Sequence, residues 1–173
     1  MAERQVTIDG NPVHLKGTPV GEGDTFPGFS VDRQPGDSVS FDDDERSDQV
    51  HIITSAISVD TPVCANQFKR FDAEAADLSD EGIKVWYITR DLPFSLGRFA
   101  EEHGLDNLDF LSDYRDREFG EQTGLAIEET ELLSRATFVV DRDGKVVYSE
   151  VLDEVAAEPD YGAAVEAARN AVG

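Results

Sequence analysis

Cys64 is the only cysteine in a chain of 173 residues, and the residues leading to it, Asp60-Thr61-Pro62-Val63, have the composition of a helix start. Thr61 is a favoured N-cap, and Pro62 then falls at the first helical position, where its missing N–H costs nothing. Cys64 is thereby expected at the third position of the first turn. Unpaired N–H groups and the positive end of the helix dipole meet there, an environment that lowers a thiol pKa and raises the thiolate fraction. Moving a thiol from about 8.5 to about 6 requires about 3 kcal/mol, of which the dipole offers about 0.3–2 kcal/mol. A cation has to supply the remainder, and the sequence offers Arg135, immediately before the apolar run of residues 136–140. The competing reading of Cys64 is an inert, buried small hydrophobe. The Thr-Pro-Val-Cys cap weighs against it. A single cysteine excludes an intramolecular disulfide, a CxxC redox pair and a Cys-rich zinc site.

The elements that must position these groups follow from hydrophobic periodicity. Residues 50–56 and 83–89 are β-branched, apolar runs suited to buried central strands. Between them Phe68, Phe71, Ala75 and Leu78 fall at helical spacing, which makes residues 50–89 a strand, helix, strand unit. Residues 5–8 and 13–15 are expected to form an opening hairpin around a turn at residues 9–12. Residues 17–28 read as a connecting loop. Residues 29–31 and 38–41 are candidates for short edge strands, and the acidic run Asp42-Asp43-Asp44-Glu45 reads as a solvated loop. Further on, a helix is predicted over 94–103 with Gly104 as its C-cap, a strand over 108–111 and a short helix over 118–123. A hairpin of residues 137–140 and 145–149 follows, and a helix over 161–172 ends the chain.

Composition narrows the function classes. Fifteen basic against 37 acidic residues give a net charge of −22, a field that repels phosphate backbones and anionic lipid surfaces. Neither a nucleic-acid nor a membrane partner is expected. Only four of the basic residues are lysine, and together with the charge this resembles a protein of a salt-accumulating halophile. Self-repulsion of this size is muted when the Debye length falls to about 3 Å in molar salt. The first residues carry no apolar leader, and no run approaches the roughly 18 apolar residues of a membrane span. A cytoplasmic location is expected. His14, His51 and His103 lack ligand spacing, so neither a metal nor another cofactor is expected. Trp86 and the phenylalanines read as core.

The order of elements and the Asp60-Thr61-x-Val63-Cys64 motif resemble the atypical two-cysteine peroxiredoxins of the thiol peroxidase type. Asn11-Pro12-Val13, Asp91-Leu92-Pro93-Phe94 with Arg98-Phe99, Ser134-Arg135-Ala136, and Asp153-Glu154 with Glu158-Pro159-Asp160-Tyr161 resemble family segments in the same order. The resemblance implies an α/β, thioredoxin-like fold over residues 1–173 as one domain, with a mixed central sheet, flanking helices and an N-terminal β-hairpin. It implies that Cys64 is the peroxidatic cysteine, that the Thr61 hydroxyl binds peroxide, and that Arg135 stabilises thiolate and transition state. A homodimer is also implied. Two positions depart from the pattern: Ile57 stands seven residues before Cys64 in place of a proline, and Ala100 stands where the family carries its resolving cysteine.

The resulting expectation is an enzyme that reduces hydrogen peroxide and small organic hydroperoxides through a Cys64 sulfenic acid, regenerated by an external thiol or a partner redoxin. The alternative is a redox sensor or interaction protein that signals through oxidised Cys64 and turns over little peroxide.

Overall fold

The computed structural model describes residues 4–42, 49–61 and 65–173. The expectations for Pro62, Cys64 and the acidic residues Asp43, Asp44 and Glu45 lie outside the described residues. The strands are β1 (Arg4–Ile8), β2 (Asn11–Lys16), β3 (Phe29–Gln34), β4 (Asp37–Phe41), β5 (Val50–Ser55), β6 (Ile83–Thr89), β7 (Asp109–Ser112), β8 (Ala126–Ile127), β9 (Ala136–Val140) and β10 (Val146–Val151). The helices are α1 (Ala65–Asp80), α2 (Pro93–His103), α3 (Glu118–Thr123) and α4 (Tyr161–Val172).

Seven strands form a mixed sheet in the order β10-β9-β5-β6-β7-β3-β4. The β5–β6 and β6–β7 pairs are parallel, and the remaining pairs are antiparallel. All six residues of β5 are buried, as a strand covered on both faces requires. On one face Ile52, Val85, Tyr87 and Val139 pack against Phe68, Phe71, Ala75 and Leu78 of α1, Leu96 and Phe99 of α2, and Ala164, Val165 and Ala168 of α4. On the other, Ile53, Trp86, Ile88, Phe138 and Val140 meet Phe26, Phe29, Phe41 and Phe119. The sheet therefore carries helices on both faces, as expected. His51 belongs to this second layer, with its ring edge-on to Phe41 and Trp86.

Three features differ from the expectation. The opening turn is tighter: Asp9 and Gly10 both have positive φ, the conformation of a two-residue hairpin turn. Asn11 and Pro12 consequently lie within β2. Thr7, opposite Pro12, turns its N–H and C=O outward to Asp153 O and Val155 N. The pair makes no hydrogen bond across the strands, so the missing N–H of Pro12 costs nothing there. Next, β3 lies inside the sheet between β4 and β7 rather than at its edge, held by the burial of Phe29 and Val31 and by the Asp32–Ser112 pairing. Lastly, β8 is a two-residue strand that joins the hairpin in a second sheet, β1-β2-β8.

One buried ion pair fixes α3 beneath the sheet. Arg90 Nε donates to Asp113 Oδ2 at 3.1 Å, and Asp113 also accepts from the backbone N–H groups of Phe119 and Gly120, each at 3.0 Å. Burial pushes the Asp113 carboxyl above the ordinary carboxylate range, against the pull of Gly120, Arg90 and Phe119. A Cβ at Gly120 would overlap the Arg90 guanidinium, so glycine permits the close approach. Arg90→Met leaves the Asp113 charge buried without its cation and is expected to cost about 3–5 kcal/mol of unfolding free energy, measured by urea denaturation. No helix among the described residues is long and apolar enough to cross a membrane.

Candidate functional site

The sheet topology sets Arg135 beside the segment that leads to Cys64. Ser55, the last residue of β5, pairs with Ala136 of β9, and Ser55 Oγ donates to Ser134 O at 2.8 Å. Residues 56–61 therefore leave the sheet next to Ser134 and Arg135, and the described chain resumes at Ala65 as α1. Along β9, Ala136 faces the aromatic layer and Val139 the layer of α1. Alternation places Arg135 on the α1 side.

Arg135 is 3% exposed, and a buried guanidinium must have its donors satisfied. Its Nε donates to Val155 O at 2.8 Å, and the hydroxyls of Tyr87 and Tyr161 also face the guanidinium. Tyr161, at the head of α4, stacks on Phe71 of α1 with ring centroids 4.5 Å apart and lines a cavity of about 230 Å³ between the two helices. The Val155 carbonyl is itself held in place. Val155 N donates to Thr7 O, and Thr7 N donates to Asp153 O. The Glu154 carboxylate accepts from Thr7 Oγ1, Gly10 N and Ala156 N. Those bonds, with the Ala156 and Gly10 amides the largest causes, hold its carboxyl below the usual range. The opening hairpin thus serves the site by fixing the loop that orients Arg135.

Thr61 is half-buried, and its Oγ1 donates to Ser58 O at 2.8 Å. Its expected role as the cap of a helix that begins at Pro62 falls outside the described residues. The approach to it is clamped by Asp91. The Asp91 carboxylate accepts from Ser58 Oγ at 2.7 Å, Val59 N at 2.9 Å and Thr89 Oγ1 at 2.8 Å. Ser112 Oγ donates to the Asp91 carbonyl. Residues 58–61 are in this way tied to the ends of β6 and β7. Arg98 of α2 lies 3.7 Å from Asp60. Ile57 packs with Val6, Val13, Ile127 and Val155, so an apolar side chain is kept at that position. Ala100 packs against the α1-side core.

The structure sets Arg135 beside the point where the chain leaves β5 toward Thr61. Sequence reasoning missed Ser58 and Tyr87. A tyrosine within a wholly buried strand puts a hydroxyl into the core that needs a partner, and that was the available signal for Tyr87. Among the described residues no group of three or more His, Cys, Asp or Glu could hold a metal ion.

A buried cation beside the chain that leaves β5 is suited to stabilising negative charge on sulfur or oxygen brought to it. Residues 21–165 match the Redoxin family model. The thiol peroxidase of Staphylococcus aureus (strain MRSA252) is 42% identical over 166 residues, covering 96% of this chain and 98% of that protein. The thiol peroxidase of Bacillus subtilis (strain 168) is 41% identical over 165 residues, with 95% and 96% covered. Among solved structures, a peroxiredoxin-like protein from Aquifex aeolicus superposes with a TM-score of 0.86 at 32% identity, covering 96% of each chain.

Proposed function

This chain belongs to the redoxin family, and from that membership and the placement of Arg135 we propose that it is a thiol-dependent peroxidase acting on hydrogen peroxide and small organic hydroperoxides. The observation that carries the reading is the buried Arg135 guanidinium, held by Val155 O beside the segment that ends at Thr61. In the proposed reaction the Cys64 thiolate attacks one peroxide oxygen and becomes a sulfenic acid. Thr61 and Arg135 bind the two oxygens as their bond lengthens. Cys64, Thr61 and Arg135 are the proposed site residues, in one domain over residues 1–173.

Regeneration comes from outside the chain, because the sole cysteine leaves no second thiol to close a disulfide. An external thiol or a partner redoxin attacks the sulfenic acid, and a second thiol releases the mixed disulfide. We place the reaction in the cytoplasm, in a homodimer whose contact would cover the exposed Leu92 and Phe94. The test is steady-state peroxide consumption with a supplied dithiol. Sustained, protein-dependent turnover is expected. Oxidation that stops after one equivalent despite the dithiol would instead favour a redox sensor.

The net charge of −22 further supports a halophilic protein. Its thermal unfolding midpoint, followed by circular dichroism, is expected to rise from low to molar KCl as self-repulsion is screened. An unchanged midpoint would overturn the halophilic reading alone.

A further inference from the structure

Tyr87 lies within β6 and is 1% exposed, its ring packed on Phe68 and Phe110 with centroids 5.0 and 5.5 Å away. Among the described residues its hydroxyl donates to no acceptor, and the Arg135 guanidinium faces it as a donor. Buried polar groups are nearly always paired, and one left unpaired destabilises the fold. Among the described residues the charged and titratable groups that face it are Arg135, Tyr161 and Asp91. Arg135 belongs to the proposed site, and Asp91 clamps the segment that leads to Thr61. The hydroxyl therefore sits beside Arg135 and near Asp91, two groups that position the proposed site.

A guanidinium only donates hydrogen bonds. Beside Arg135 the phenolic oxygen is cast as an acceptor, and its proton is left for an oxygen that arrives with substrate. We propose that Tyr87 Oη donates a hydrogen bond to the hydroperoxide beside Arg135, at the oxygen that departs as the O–O bond breaks, making Tyr87 a catalytic residue. The inference rests on the peroxidase reading above.

In the step it serves, the thiolate sulfur bonds to one peroxide oxygen and the O–O bond breaks. Sulfur is oxidised by two electrons and the peroxide is reduced. The departing hydroxide or alkoxide takes a proton from water and leaves as water or alcohol. Tyr87 keeps its own proton throughout. Burial pushes its hydroxyl well above the ordinary tyrosine value, outweighing the opposing pull of Arg135, so it donates without ionising.

Tyr87→Phe removes the hydroxyl and preserves the ring. Three quantities are compared with wild type: the rate constant of Cys64 oxidation by hydrogen peroxide, the rate constant of Cys64 alkylation by iodoacetamide at the same pH, and the thermal unfolding midpoint. The peroxide rate is expected to fall about tenfold or more, the size of a lost hydrogen bond to developing charge. Alkylation, which involves no peroxide oxygen, should stay within about twofold, and the midpoint should be unchanged or higher. An unchanged peroxide rate overturns the inference. A parallel loss in both rates also does so, because that is the mark of a structural role, and a lowered midpoint contradicts the unpaired hydroxyl. Wild-type protein that consumes peroxide while Tyr87→Phe matches it removes only this inference. Wild-type protein that does not react with peroxide removes the peroxidase reading with it.

Discussion

Cys64→Ser is expected to abolish peroxide reduction, leaving only the slow direct reaction of peroxide with the added dithiol. Two-electron reduction of a hydroperoxide needs a nucleophile that can take up oxygen and give it back, and a thiolate does this through a sulfenic acid. The only other sulfur atom in the chain belongs to Met1, and its sulfoxide would not be returned by a simple dithiol. A serine hydroxyl is not ionised at neutral pH and forms no sulfenic acid. The substitution is close to isosteric, so circular dichroism should report an intact fold. Mass spectrometry after one equivalent of peroxide should show wild type with one added oxygen, or its adduct with a supplied thiol, and the variant unmodified. Appreciable turnover by the variant would end the peroxidase reading, since no other group in the chain could carry the cycle.

The parts of the fold that were legible in the sequence are those where one face of a local repeat decides the outcome. Residues 118–123 and 161–172 were read as helices and form α3 and α4 with the same bounds, and residues 83–89 form β6. Their apolar spacing has only one burial that fits. What stayed hidden depends on partners distant in the chain. β8 has two residues and exists only through Leu15–Ile127 and Lys16–Ala126, a pairing no local pattern announces. β3 had the composition of an edge strand, and its inner place in the sheet follows from its pairing with β7, some eighty residues away.

The site divides in the same way. Arg135 could be named because it directly precedes an apolar strand, whereas the Asp91 clamp joins Ser58 and Val59 to a residue more than thirty positions later. A carboxylate that accepts backbone and hydroxyl protons leaves no periodic trace. The role of the opening hairpin was equally invisible. Its turn and strands were readable, but the service it performs runs through Thr7, Glu154 and the Val155 carbonyl to Arg135.

Arg135→Met is expected to slow peroxide reduction by at least about a hundredfold and to raise the pH midpoint of Cys64 alkylation. Removing one charged donor aimed at developing negative charge costs on the order of 10²–10³ in rate. Arg135 stands to lose at least that, because its 3% exposure keeps competing water from its charge. The sign of the midpoint shift follows from the same charge: a nearby cation favours the thiolate over the thiol, so its loss moves ionisation to higher pH. Methionine keeps the apolar stem but leaves the Val155 carbonyl without its donor, and some loss of stability accompanies the loss of rate. Arg135→Lys separates the two effects. It retains a positive charge without the planar fork that holds Val155 O while facing Tyr87 and Tyr161. The alkylation midpoint should then recover more fully than the peroxide rate, because a point charge stabilises a thiolate but orients two oxygens poorly. If alkylation of wild type and Arg135→Met shares one midpoint, Arg135 is not the cation that activates Cys64, and a different charge must be sought near the start of α1.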